Sequence, residues 1–185
     1  VLAIPTESSY GLGVDPRDRR GVEAVYRLKG RDAGKPLPVV VAGLAQLAVL
    51  GIDAAAPEVA RAARCWPAAL TVVLPRRPGA QRLPAAAGLE TLAVRVPDHP
   101  RLRVLLEVTG PLTATSANPS GGEPLLDPET AAALLAGADA LVVDDGRLPG
   151  GLASTLVAFE GVTLRILRSG RLSRRRVEAC LGAGG

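Results

Sequence analysis

"VYRLKGRDAGKPLPVV", residues 25–40, changes its hydrophobic period part-way along. Upstream of the change, "RRGVEAVYRLKG" sets Val22, Val25, Tyr26 and Leu28 on a helical stripe, and Gly30 closes it. Downstream, "LPVVVA" is a short continuous apolar run, the mark of a buried strand. A helix that hands over to a buried strand through a short turn is the signature of an α/β domain. The turn carries Lys29, Arg31 and Lys35, and those two lysines are the only ones in the chain. Arginine is a planar fork and lysine a compact point charge with rotatable donors. Their confinement to one turn predicts a small, dense positive site.

Working outward, strand and helix signals alternate without a regular βαβ beat. "VLAI" reads as a strand ended by Pro5, and "YGLGV" as a glycine-punctuated loop. "LAQLAVL" and "PEVARAARCW" read as helices, and "LTVVLP" and "TLAVRVP" as strands ended by proline. "PRLRVLLEVTG" is a helix stopped at Gly110, and "PLTATSAN" a strand that runs into a turn. Asp127 is the expected N-cap of "DPETAAALLAG", with Pro128 in its first turn. "ADALVVDDG", "STLVAF" and "LRILRSG" read as strands, and Ser173 as the cap of a closing helix, "SRRRVEACLG". The expected architecture is one α/β domain over residues 1–185, a twisted mixed sheet flanked by helices. "RRPGAQRLPAAAG" is expected to be a mobile loop and "GAGG" a flexible end. The chain has no Met and opens mid-strand, so its N-terminus is expected to be incomplete.

Composition narrows the function classes. The aromatics are Tyr10, Tyr26, Trp66 and Phe159 alone, so the core must be aliphatic. A base-stacking single-strand binder needs more aromatic platforms than that. The net charge of +4 favours an anionic ligand or a polyanion surface. Cys65 and Cys180 show no paired spacing, and with His99 the only histidine no ordinary zinc set can be assembled. His99 lies in "VPDHP" and reads as a solvated loop residue rather than a catalytic base. No stretch is long and apolar enough to span a bilayer, and no signal peptide is visible. With no disulfide spacing, the expected location is the cytoplasm.

Four loops at strand ends carry the chemistry, which is where open α/β sheets bind ligands. "PTESSYGLG" offers the hydroxyls of Thr6, Ser8 and Ser9 followed by glycines. The Lys29–Arg31–Lys35 turn suits a triphosphate. "GPLTATSANPSGGEP" supplies Thr113, Thr115, Ser116, Asn118 and Ser120, either as an anion nest or as a polar turn. Ser154 and Thr155 form a fourth group with Arg168; Arg168 and Arg95 end apolar strands and must face something polar. No Walker-type lysine loop and no nucleophile elbow occur. Such residues suit holding phosphate and a small polar substrate together, with catalysis by positioning and charge stabilisation.

These stretches resemble the YrdC-like family of threonylcarbamoyl-AMP synthases over essentially the whole chain. "PTESSYGLG" resembles the family's PTET-x-YGLG, Lys29-Gly30-Arg31 its K-x-R element, and Ser116-Ala117-Asn118 its S-x-N element. "CWPAALTVVLP", "VRVPDHP", "GGLASTLV" and "ILRSG" stand in family order. The resemblance implies a YrdC/RibB-like fold with a large basic cavity. It implies synthesis of L-threonylcarbamoyladenylate from L-threonine, bicarbonate and ATP, with pyrophosphate released and Mg²⁺ carried by the phosphates. It places Ser8, Arg95, Ala114 and Ser154 around threonine, and Arg31, Lys35, Thr91, Ser116, Pro124 and Arg168 around ATP. Lys29, Arg31, Ser116 and Asn118 form the implied catalytic signature. The implied partners are tRNA or double-stranded RNA and downstream tRNA threonylcarbamoyl-transfer proteins.

Three departures stand out: Ser8 for the family's second threonine, Ala68-Ala69 for Gly-Pro after Trp66, and the missing lead-in to the first strand. Two other readings compete. One is an RNA- or nucleotide-binding paralogue without synthase activity, to which the basic "RLSRRR" lends weight; the other is a carbamoyl-transfer domain of a larger maturation protein. The complete Lys29, Arg31, Ser116, Asn118 set favours the synthase.

Overall fold

The computed structural model describes residues 1–182. The handover in residues 25–40 is a helix, α1 (Arg19–Lys29), that ends at Gly30 and leads to a short strand at Val39–Val40. The carboxylate of Asp18 accepts the Arg20 N–H and starts α1. Its buried face is Val22, Val25, Tyr26 and Lys29, the i, i+3, i+4, i+7 positions of one stripe. Leu28, expected on that stripe, is only half-buried; the helical period puts Lys29 there instead.

Among the described residues, ten strands form two mixed sheets. In chain order they are β1 (Leu2–Pro5), β2 (Tyr10–Gly13), β3 (Val39–Val40), β4 (Leu70–Pro75), β5 (Thr91–Arg95), β6 (Leu112–Thr113), β7 (Thr115–Ser116), β8 (Leu141–Val142), β9 (Thr155–Glu160) and β10 (Thr163–Arg168). The smaller sheet runs β7-β2-β1-β8 and the larger β10-β9-β4-β5-β3-β6. Parallel pairs (β1 with β8, β3 with β5, β4 with β9) sit among antiparallel ones, as the irregular order of signals predicts. Helices α2 (Pro57–Ala63), α3 (Pro100–Thr109), α4 (Pro128–Leu134) and α5 (Arg174–Leu181) complete the chain.

"PLTATSAN" is not one strand. It crosses from one sheet to the other at Ala114: β6 pairs with β3 and β7 with β2. Each piece is two residues long. The Thr113 Oγ1 hydroxyl stitches the crossing by donating to Leu12 O (3.0 Å) and accepting the Val14 N–H (3.1 Å). Most of the buried aliphatic residues form one cluster; Ile4, Val40, Leu102, Leu106 and Leu112 form a second under α3.

Several local expectations are corrected. "LAQLAVL" is a 3₁₀ segment, Leu44–Leu50, bracketed by glycines. "ADALVVDDG" keeps only Leu141–Val142 in a sheet. Asp127 and Ser173 occupy N-cap positions, but neither side chain makes the capping bond; the Asp127 carboxylate instead takes Arg147 Nη1 (2.6 and 2.8 Å). His99 is not a solvated loop residue: its Nδ1 accepts the Leu102 N–H at the start of α3, and its Nε2 faces Asp145 (3.1 Å).

The "RRPGAQRLPAAAG" loop is tied down, with Leu83, Ala85 and Ala86 buried. Cys65 and Cys180 are not unpaired; they form a disulfide across 115 residues of sequence, joining the end of α2 to α5. No local spacing announces a pair that far apart, and the premise for a cytoplasmic location falls with it. In "GAGG", residues 183–185 lie outside the described residues. No helix among the described residues is long and apolar enough to cross a membrane.

Candidate active site

Where the two sheets meet, the ends of β1, β3, β5, β7 and β10 and the turn after α1 enclose a cavity of about 600 Å³. Its wall gathers Lys29, Arg31, Lys35, Arg95 and Arg168, with the hydroxyls of Thr6, Ser8, Ser9, Thr71, Thr91, Ser116 and Ser154. Ala114 and Asn118 line it as well. Among the described lining residues there is no Asp or Glu. Of the residues singled out in these loops, Thr113, Thr155 and Pro124 do not line the cavity: the two threonines are buried, their hydroxyls donating to Leu12 O and Leu172 O, and Pro124 is exposed beyond Gly122.

Lys29 is tethered rather than free. Its buried ammonium donates to Ser116 O (2.5 Å), Asn118 O (2.7 Å) and Asn118 Oδ1 (3.2 Å). An ammonium has three protons, so all are engaged. The Asn118 amide donates onward to Pro119 O (2.9 Å) and Gly122 O (2.5 Å), and Ser120 N returns to Lys29 O (2.8 Å). One knot therefore fixes the end of α1 to the 116–122 loop. Burial, and then the nearby Arg31 charge, lower the Lys29 pKa to about 8.

Arg31 follows the helix end. Its Nη2 donates to Pro36 O (3.1 Å), while its buried Nε meets no acceptor among the described residues. A buried donor without a partner is unfavourable, and an anion's oxygen in the cavity would satisfy it. Lys35 sits on the exposed side of the same turn. Asp32 shapes that turn by accepting Gly34 N at its carboxylate and Lys35 N at its carbonyl. The Tyr26 hydroxyl holds the turn from beneath by donating to Lys35 O (2.8 Å).

Across the cavity, Arg168 Nη2 donates to Ser154 O (2.9 Å), and Ser154 Oγ shares a hydrogen bond with Thr71 Oγ1 (2.7 Å). Partial desolvation, and then the Arg95 charge, lower the Arg168 pKa. Gly170 makes this packing possible. A Cβ there would lie 2.3 Å from Ala153 O and 2.6 Å from Thr155 N, so only glycine lets the end of β10 rest on the Ser154 backbone.

Arg95 is buried at the end of β5, and its Nη1 pairs with Glu7 Oε2 at 2.5 Å. The other Glu7 oxygen accepts the Asp98 N–H (2.9 Å), so the carboxylate is held from both sides. Glu7 was not singled out from the sequence, although the requirement that Arg95 face something polar was. The signal was available: a lone carboxylate in the strand-end loop "PTESS" is a ready counter-ion for a buried guanidinium.

The model of the Sua5/YciO/YrdC family, described as telomere recombination, matches residues 1–170. The chain belongs to that family. It is 39% identical over 185 residues to a protein of Bacillus subtilis (strain 168) named threonylcarbamoyl-AMP synthase, covering 98% of this chain and 53% of that protein. A Pyrococcus abyssi protein of the same name is 33% identical over 183 residues, covering 98% and 54%. The crystal structure of P. abyssi Sua5 complexed with L-threonine superimposes with a TM-score of 0.85 at 33% identity, over 98% of this chain and 53% of that one. The chain thus spans about half the length of these relatives.

Proposed function

We propose that this chain makes L-threonylcarbamoyladenylate from L-threonine, bicarbonate and ATP, releasing pyrophosphate, to supply threonylcarbamoyl modification of adenosine in tRNA. The observation that carries the reading is one cavity holding two kinds of subsite. Arg31, Lys35 and Arg168 offer cations suited to a triphosphate, while Arg95, Ser8 and Ser154 offer a fork and hydroxyls suited to an amino acid. The names of the B. subtilis and P. abyssi relatives and the threonine complex of P. abyssi Sua5 support it.

The chemistry divides between these groups. The threonine amine attacks the carbon of carbon dioxide or bicarbonate; an N–C bond forms, and the nitrogen's proton leaves to solvent from the carbon dioxide adduct or within the water expelled from bicarbonate. A carbamate oxygen then attacks the α-phosphorus of ATP and the bond to pyrophosphate breaks. Negative charge spreads over the phosphate oxygens as it does so, and Arg31, Lys35 and Arg168 stabilise it. With all three protons committed to Ser116 and Asn118, Lys29 acts mainly by holding that loop in place. Ser116 and Thr91 border the nucleotide, and Ala114 and Ser154 the amino acid. With no carboxylate among the described lining residues, the donor set does not suit a protein-held Mg²⁺; the ion would arrive on the ATP phosphates.

Incubating the chain with ATP, threonine and bicarbonate, followed by mass spectrometry, tests the reading. The expected product carries AMP joined to threonine through a carbonyl. AMP or ADP as the only nucleotide product would overturn it.

A further inference from the structure

Beyond the end of β4 the chain forms a second recess of about 380 Å³, which shares no lining residue with the cavity between the sheets. Arg17, Arg76, Arg77 and Arg82 line it, and among its described lining residues there is no Asp or Glu. Its wall is built. Arg76 Nε donates to Leu50 O (3.0 Å) and its Nη2 to Gln81 O, while Arg77 N donates to Gly51 O (2.6 Å). Gly51 has a φ of +74°, and a Cβ there would meet Ala80 Cβ at 2.7 Å. Only glycine lets the 76–83 loop seat this closely.

The four guanidinium groups are not equally committed. Arg17 is occupied by Asp15, through Nε (2.9 Å) and Nη2 (2.6 Å). Arg76 is locked into the wall by the two carbonyls above. The Arg77 guanidinium makes one long contact, Nη2 to Ile52 O at 3.4 Å. Arg82 has no hydrogen-bond or ion-pair partner among the described residues. Two planar forks therefore remain uncommitted at a concave surface that a third, fixed guanidinium already makes positive. Uncommitted forks on a positive concave wall suit an oxyanion with several free oxygens.

We propose that this recess is a second phosphate-binding site, separate from the cavity, with Arg77 and Arg82 as its gripping residues. The ligand chemistry is a phosphate group within a larger anion: an RNA backbone phosphodiester or a free polyphosphate. This does not rest on the synthase reading, because it is tested by binding rather than turnover.

The test compares wild type, Arg77→Ala/Arg82→Ala, and Arg175→Ala/Arg176→Ala, which removes the same charge from α5. Arg82→Glu is a fourth variant; Arg82 is exposed and makes no bond among the described residues, so this change leaves the fold intact. The first probe is a fluorescently labelled tRNA transcript, followed by anisotropy across a salt series. The second is inorganic pyrophosphate, followed by calorimetry. If RNA is the ligand, the recess double variant weakens tRNA binding about tenfold, and its log–log salt slope falls by about two. The α5 pair changes it less, and Arg82→Glu weakens it further than a neutral residue would. If a free polyphosphate is the ligand, wild type shows a pyrophosphate-binding event additional to any in the cavity, which both recess variants lack and the α5 pair keeps. Unchanged binding of both probes in the recess variants, or equal losses in the recess and α5 variants, overturns the proposal.

Discussion

Lys29 Nζ lies 2.7 Å from Asn118 O and 3.2 Å from Asn118 Oδ1, so two residues separated by 89 positions are bound as one unit. The ammonium is the peg on which the 116–122 loop hangs, and the site depends on that loop for Ser116 and Asn118. From the sequence, Lys29 belongs to a turn of cations suited to a triphosphate. Its burial changes that expectation. Lys29→Ala should abolish most turnover and also destabilise the protein, because Ser116 O and Asn118 O lose a charged donor. A hydrogen bond to a charged group is worth roughly 1.5–3 kcal/mol. For a chain of this size that lowers Tm by about 2–4 °C per kcal/mol. Calorimetric melting of the variant beside wild type checks it, and an unchanged Tm contradicts the tether.

The same lysine sets a pH dependence. Burial holds its pKa near about 8, well below the usual lysine value. Above that pH the ammonium loses a proton and one of its three bonds, so turnover should fall as pH rises through about 8. Stability should not fall with it on this account. Between the folded value and the ordinary lysine value, the unfolded chain holds the proton and the folded chain does not, so Lys29's own contribution to stability rises with pH. A pH–rate profile paired with melting curves separates the two. A rate that stays flat to about pH 10 in wild type contradicts the shifted pKa.

Arg31→Ala should leave melting unchanged, since this half-buried side chain makes only one hydrogen bond within the protein, to Pro36 O. Turnover should fall on the order of a hundredfold, the usual effect of losing one contact to developing charge. Steady-state kinetics with saturating substrates measures it, and a wild-type rate returns Arg31 to the surface.

Arg95 and Glu7 make a linked pair of expectations. Arg95→Lys keeps the charge and loses the fork, so threonine binding should weaken about ten- to a hundredfold and ATP binding little. Glu7→Gln keeps Arg95 but loosens its aim, so it should weaken threonine binding by a smaller factor in the same direction. Calorimetric titration of each ligand into both variants decides. An equal loss for ATP and threonine moves Arg95 out of the amino-acid subsite.

The Cys65–Cys180 bond closes a loop of 115 residues. In the chain-entropy view a bridge over a loop of about 100 residues contributes roughly 4–5 kcal/mol. Thiol titration of the denatured, unreduced protein should find no free thiol, and reduction should lower Tm by about 10–20 °C. Two reactive thiols before reduction contradict the bond.

Much of this arrangement was legible in the residues. The apolar runs around β3, β4 and β5 are bounded by proline or polar turns, so their strands could be read directly. The cavity gathers the positive turn, the hydroxyl loops and the strand-end arginines because all of them lie at strand termini. What escaped was non-local or too short to carry a period. Glu7 meets Arg95 across 88 positions, and nothing local in either stretch names the other. Strands β6 and β7 are two residues each, so the sheet change at Ala114 leaves no alternation to read. The burial of Lys29 was legible, since it is the next step of the Val22, Val25, Tyr26 stripe. A charged residue on an apolar face is easily read as having slipped off it.

The most direct test of the account is pyrophosphate release measured with and without threonine, in the presence of ATP and bicarbonate. One cavity holding both a triphosphate clamp and an amino-acid subsite predicts release that requires threonine and saturates with it. In Arg95→Lys, saturation should need about ten- to a hundredfold more threonine. Release at the same rate without threonine would contradict the account.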